Sequence, residues 1–115
     1  MYKKFENVVT PYYTFNFKYI NEIINIFLKF YNVSYFELTN LEKSYNKIFR
    51  LFIYYIFKNC KLSMDEISFI FNVPIDAVIA ISGEFNKEFN KKEKTDFFQS
   101  LYSDYLTLQE LINDL

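Results

Sequence analysis

The side chains that most enzymes use for catalysis or metal binding are scarce in this sequence. The 115-residue chain has no His and a single Cys, Cys60, so the commonest general base and metal ligand is missing. One Gly in the whole sequence leaves no glycine-rich phosphate loop. The paired carboxylates Asp65 and Glu66 follow Ser63 at the spacing of a helix cap, which accounts for them without catalysis. These features predict a protein that is not an enzyme and that uses no metal, nucleotide or other cofactor.

Length and composition favour one small, mostly helical domain. Hydrophobic residues make up 51% of the chain, whereas one Gly and two Pro are too few for a fold rich in tight β-turns. The longest apolar run, from Leu51 to Phe57, is too short to cross a bilayer, and the first residues lack the apolar stretch of a signal peptide. We therefore expect an all-α, cytoplasmic protein without membrane contact.

The hydrophobic pattern divides the chain into three parts. Residues 1–14 contain Pro11 and show no helical period, which predicts an extended N-terminal arm. Residues 15–94 are expected to form the helical domain, and residues 95–115 an extra C-terminal helix. This last segment has four acids and no base, whereas residues 1–95 have a net charge of +3. The acidic helix is expected to pack on its own domain or to be exchanged with a second copy in a homodimer.

Apolar spacing places the helices of the domain. A stripe at intervals of three and four residues predicts a helix from about Phe15 to Tyr31, followed by a short helix that Ser34 caps and that ends at Leu38. The next segment, ending near Asn59, is apolar almost all round and is expected to be the buried central helix. Near the end of the chain, Thr95 is expected to cap a helix with an apolar face formed by Phe97, Leu101, Tyr105, Leu108 and Ile112.

Residues 62–82 have the spacing of a helix-turn-helix motif. Ser63 and Glu66 form an S-x-x-E capping box at the start of the first helix, and Asn72 and Val73 make the turn. Pro74 lies at or beside the first turn of the second helix, where its missing N–H costs nothing. Residues expected to face inward are Ile67, Ile70 and Phe71 in the first helix and Ala77, Val78 and Ile81 in the second. Gly83 is expected to end or loosen the second helix, with a charged exit segment after it.

From Ile20 to Phe89 the order of elements resembles the C-terminal DNA-binding domain of the bacterial replication initiator DnaA. The opening helix and the short helix after it are matched by INEIINIFLKFYNVSYFEL. An arginine-led apolar run of that family is matched by Arg50, Phe52, Tyr55 and Ile56, and its next helix by Ser63, Glu66, Ile67 and Phe71. The resemblance covers about 70 of the residues and implies a helix-turn-helix that binds double-stranded DNA.

The second helix of the motif departs from that family. The family reads its DNA site with a polar run containing Arg, Asp and His, whereas this chain has NVPIDAVI, in which only Asp76 is shared. Readout of bases in the major groove needs hydrogen-bonding side chains, and Ile, Ala and Val offer at most contact with a thymine methyl group. Two functions are therefore open for a module of this kind.

The first hypothesis is a small DNA-binding regulator of replication or transcription. Its DNA-contacting residues would be Lys43, Lys47, Arg50, Lys61, Ser63, Asn72, Ile75, Asp76, Lys87 and Lys91. The second hypothesis is a protein-interaction module or inhibitor, of a size that would suit a phage or mobile element. Its contact residues would be Ile75, Val78, Ile79 and Phe85, unless these side chains face the core.

Overall fold

The computed structural model describes residues 8–9, 14–15, 17–39 and 46–114. Two short antiparallel strands, β1 (Val8–Val9) and β2 (Thr14–Phe15), pair Val8 with Phe15. Six helices follow in the described residues: α1 (Phe17–Tyr31), α2 (Tyr35–Thr39), α3 (Asn46–Asn59), α4 (Met64–Phe71), α5 (Ile75–Phe89) and α6 (Asp96–Asn113). The predicted all-α fold is confirmed. Of the predicted N-terminal arm, residues 1–14, the described residues include Val8, Val9 and Thr14.

The central helix α3 organises the core. Six consecutive residues, from Leu51 to Ile56, are buried, as expected for a helix surrounded on all sides. Helices α2, α4, α5 and α6 all contact α3, and α1 closes the core by packing on α2 and α6. The aromatic ring of Phe27 from α1 meets Phe52 edge to face at 5.2 Å between centroids, an arrangement that favours the ring quadrupoles.

Side-chain caps start the helices where the sequence predicts them. Before α2, the backbone N–H of Ser34 donates to the Glu37 carboxylate at 2.9 Å, and the Glu37 N–H donates back to the Ser34 hydroxyl at 3.1 Å. Thr95 caps α6 by accepting from the Phe98 N–H at 3.3 Å. Each such cap stabilises its helix by about 1 kcal/mol because it satisfies N–H groups that have no partner inside the helix.

Two details of the sequence prediction are wrong. Gly83 neither ends nor loosens α5, which continues to Phe89, because Phe85 and Phe89 extend the buried face by one residue every turn. Burial of two Phe side chains outweighs the cost of roughly 1 kcal/mol for Gly in a helix. In α6 the first inward residue is Phe98, whereas Phe97 is 44% exposed.

Helix α6 packs on α1, α3 and α5 of its own chain. Its buried face consists of Phe98, Leu101, Tyr105, Leu108 and Ile112, and polar contacts add to it. The Tyr31 hydroxyl of α1 donates to Asp104 at 2.7 Å, and the Asn59 amide at the end of α3 donates to the Tyr105 hydroxyl at 3.1 Å. Among the described residues, none of the helices is both long and apolar enough to cross a bilayer.

Cys60 provides a chemical test of this core. The thiol follows α3 and is partly buried, and burial raises its pKa to about 11 from an ordinary value of 9.0. We expect a disulfide reagent at pH 8 to react about a hundredfold more slowly with the folded protein than with the urea-unfolded chain, because only the thiolate attacks.

The same shift has a consequence for stability. Because the folded-state pKa is raised, the protonated thiol contributes stability that is present below pH 9 and is lost as the pH rises through about 11.

The expected difference in reaction rate is measured by thiol-modification kinetics with and without urea. Equal rates in the two states would contradict the packing of Cys60.

Candidate interaction surface on the helix-turn-helix

The turn between α4 and α5 is fixed by backbone conformation and by Ser68. Asn72 adopts the left-handed conformation, with φ 54° and ψ 48°, which ends α4 and which Asn tolerates better than most residues. The Val73 N–H donates to the Ser68 carbonyl oxygen at 3.1 Å, and the Ser68 hydroxyl donates to the Val73 carbonyl oxygen. Pro74 then takes the N-cap position of α5. Ser68, Asn72, Val73 and Pro74 thus fix the turn that joins the two helices.

The capping box predicted at the start of α4 is present. The Ser63 N–H donates to the Glu66 carboxylate at 2.6 Å, and the Glu66 N–H donates to the Ser63 hydroxyl at 3.1 Å. Glu66 is buried, and this reciprocal pair satisfies its carboxylate. The structure therefore gives both residues a role in positioning α4.

The inner face of α5 is packed on α3 through aromatic rings. Val78 and Phe85 have no exposed surface, and Ile81 and Phe89 are also buried. The ring of Tyr54 lies 5.5 Å from Phe85 and 5.4 Å from Phe89, measured between centroids. This packing leaves the opposite face of α5 towards solvent.

The outer face of α5 is defined here as Asp76, Ile79, Ala80, Gly83 and Lys87, all of them exposed. Ile79 is 50% exposed. Apart from the chain neighbours of Gly83 and the backbone of α5, no atom of the described residues lies within 4 Å of the position that a Cβ atom on Gly83 would occupy. From Ile75 to Asn86 the helix carries two acids, Asp76 and Glu84, and no Lys or Arg. The first basic side chain, Lys87, comes three turns into the helix.

Arg50, the single arginine, is held by neighbouring side chains. Its guanidinium forms an ion pair with Glu84 of α5 and lies over the ring of Phe85, 5.7 Å from the centroid. This arrangement couples α3 to α5 and neutralises one acid beside the outer face. An arginine engaged in this way has fewer N–H groups free for a phosphate.

The structure places the other predicted DNA-contacting residues on several elements. Lys47, Lys61, Asn72, Asp76 and Lys87 are exposed, and Ile75 is partly buried. Lys91 forms an ion pair with Glu88 at 2.8 Å. Lys43 lies outside the described residues. The exposed lysines lie on α3, on the segment between α3 and α4, and near the end of α5.

Burial corrects the predicted protein interface. Val78 and Phe85 have no exposed surface because they form the inner face of α5, so neither side chain is available to a partner. Helical periodicity alone does not show whether these two side chains face the core or the solvent, and their burial shows that they face the core. Of the four residues proposed for that interface, Ile79 is half-exposed and Ile75 is partly buried.

Two features of this region were missed in the sequence. Lys58 of α3 donates to the side-chain oxygen of Asn86 at 3.4 Å, and the Tyr54 hydroxyl donates to the same oxygen at 3.1 Å. Phe69 of α4 is 61% exposed. Its position off the inward stripe of Ile67, Ile70 and Phe71 was a signal that could have identified it as a surface residue.

The described residues contain no cluster of three or more His, Cys, Asp or Glu side chains that could hold a metal ion. Chemically, the surface around α5 offers a half-exposed apolar side chain, small residues and charges of both signs. Comparisons with protein-family models, with curated proteins and with solved structures gave no match, and the resemblance to the DnaA domain stays a prediction.

Proposed function

We propose that this chain is a non-enzymatic helix-turn-helix module that binds another protein through the outer face of α5. One observation carries the proposal: this face presents a half-exposed Ile79 beside Asp76, and the helix has no basic residue from Ile75 to Asn86. Exposed apolar side chains rimmed by polar ones are typical of protein contacts. The module would work in the cytoplasm, where Cys60 stays reduced.

Electrostatics argue against α5 as a DNA-reading helix. A recognition helix enters the major groove with its N-terminal residues at the bases and with phosphates on both sides. Asp76 in the first turn would then face phosphates of the same sign, and Arg50 cannot offset this repulsion because it is already paired with Glu84. Ile79, Ala80 and Gly83 offer no hydrogen-bond donor or acceptor on a side chain, so contact with a thymine methyl group is the most that they could contribute to base readout.

DNA binding stays the second candidate, because three exposed lysines favour it. Lys47, Lys61 and Lys87 have no ion-pair partner within the part of the chain that the structure describes. Three phosphate contacts would give weak, sequence-independent binding that depends strongly on salt. This candidate needs no contact from Ile79, which separates it from the first.

The proposal is tested by selection from a displayed library of helical peptides. Wild-type protein alone serves as bait, and each enriched peptide is afterwards titrated against the Ile79→Asp variant. Because position 79 faces solvent, the substitution should leave the helical circular dichroism unchanged. We expect enriched peptides that bind wild type at least about tenfold more tightly than Ile79→Asp, since a charge would be buried without a partner at the contact.

The matched control is Leu106→Asp, which places the same charge at a similarly exposed apolar position on α6. The selected peptides should bind this variant as tightly as wild type. A selection that yields only clones indifferent to Ile79→Asp would refute a protein contact on α5.

A further inference from the structure

The outer face of α5 has a charged side chain near each end and small side chains in its middle. Asp76, Ala80, Gly83 and Lys87 follow one another at intervals of four, three and four residues, so they form one straight stripe along the helix. Asp76 and Lys87 lie equally far from the midpoint between residues 81 and 82, about 8 Å on either side at 1.5 Å per residue. The stripe is therefore complementary to itself when it is reversed.

We infer that the partner of this face is a second copy of the chain, with the two α5 helices antiparallel about a two-fold axis at that midpoint. The inference rests on the proposed function, since it assigns an occupant to the same face. In this arrangement Asp76 of each copy lies opposite Lys87 of the other. Symmetry then gives two opposite-charge pairs from one pair of residues.

The middle of the stripe suits close approach of two helices. Ala80 of one copy lies opposite Gly83 of the other, and no side chain of the described residues covers Gly83. Small residues at a crossing allow interaxial distances near the lower end of about 8–10 Å. The two backbones can thus meet without displacing a large side chain.

The flanks of the stripe are also compatible with this pairing. The two-fold axis is perpendicular to the plane that contains the two helices, so a residue to one side of the stripe lies on that same side in both copies. The two Ile79 side chains therefore lie on one side of the contact, roughly 7–8 Å apart along the helices. There each covers part of the other's exposed surface. The two Glu84 side chains lie on the opposite side, where each is already paired with Arg50 of its own chain.

Charge distinguishes a second copy from an unrelated acidic or basic segment. A basic ligand along the stripe would face Lys87, and an acidic ligand would face Asp76, with the same sign in each case. A reversed copy of the same stripe meets opposite charges at both ends. One helix face buries much less than the roughly 1,600 Å² of a standard interface, so the expected dimer is weak, with a Kd on the order of tens to hundreds of micromolar.

Sedimentation equilibrium of the full chain over that concentration range tests the inference. We expect a monomer–dimer equilibrium in the wild type and about a tenfold rise in Kd for Asp76→Lys or Lys87→Asp, because each substitution replaces both symmetric pairs by like charges. The double variant Asp76→Lys/Lys87→Asp restores opposite pairing and should return Kd to within about threefold of wild type.

Gly83→Leu supplies a test that does not depend on charge. Position 83 is exposed and helical, so Leu should raise helix stability while holding the two backbones apart, and we expect it to abolish the dimer. Glu110→Lys on the exposed side of α6 is the charge-matched control and should leave Kd unchanged. Circular dichroism of each variant shows that the fold is retained.

Each other outcome overturns the inference in an identifiable way. A wild type that is monomeric up to millimolar concentration refutes self-association, and a double variant that stays monomeric refutes the antiparallel pairing. If the wild type is monomeric but peptides that require Ile79 are selected, the second copy is wrong as the partner and the proposed function stands. A dimer that persists in both Asp76→Lys and Ile79→Asp, with no Ile79-dependent peptide, refutes both.

Discussion

The substitution Phe85→Ala is expected to lower the free energy of unfolding by about 3–5 kcal/mol. Phe85 has no exposed surface, and its ring lies 5.4–5.5 Å from the rings of Tyr54, Phe89 and Phe98, measured between centroids. Alanine leaves a cavity where α3, α5 and α6 meet and removes the ring beneath Arg50. Because small domains are stable by only about 5–15 kcal/mol, a large part of the stability would be lost.

Urea unfolding followed by circular dichroism measures this effect, with Ile79→Ala as the control on the same helix. Ile79 is 50% exposed, so the control should lose about 1 kcal/mol or less. Comparable losses for the two variants would mean that Phe85 is not in the core. That result would restore it as an interface residue.

The second large effect is expected for Leu108→Ala in α6, a loss of about 2–5 kcal/mol. Leu108 has no exposed surface, and α6 packs on three other helices of the same chain. We expect the midpoint of urea unfolding to be independent of protein concentration at the low micromolar level, because α6 completes the core of its own chain.

Leu106→Ala is the matched control for this prediction, since Leu106 is on the same helix and 43% exposed. Its effect should stay within about 1 kcal/mol. A midpoint that rises steeply with protein concentration at these low levels would show instead that α6 is exchanged between copies, the alternative that its sequence also allowed.

Local signals in the sequence predicted the helix starts well. Ser34 with Glu37, Ser63 with Glu66, and Thr95 each act through hydrogen bonds within four residues, so neighbouring residues contain the whole signal. The uninterrupted apolar run in α3 also predicted its central place, since a helix of that kind has no polar side to expose.

Features that depend on packing between distant elements were not predictable in the same way. The end assigned to α5 at Gly83 rested on local propensity, whereas the helix continues because Phe85 and Phe89 reach Tyr54, more than thirty residues earlier. The choice between Phe97 and Phe98 as the first inward residue of α6 depends on how α6 lies on α5. The sequence has Phe at both positions.

Part of the candidate site was likewise predictable from the sequence, and part of it was not. The apolar and acidic character of the second helix was visible in residues 75–84 and supported a protein partner as an alternative to DNA. The pairing of Arg50 with Glu84 was not visible, because α3 and α5 are far apart in the chain. That pair removes a cation from the predicted DNA-binding set and places it within the fold.

A fluorescence titration of the full chain with an AT-rich duplex, at about 50 and 200 mM salt, tests most directly whether the outer face of α5 contacts protein and not DNA. We expect at most weak binding at low salt, lost at the higher salt through counterion competition and unchanged by Ile79→Asp. Tight binding that survives at about 200 mM salt and is weakened by both Lys47→Glu and Ile79→Asp would contradict the account and would place DNA on the outer face of α5.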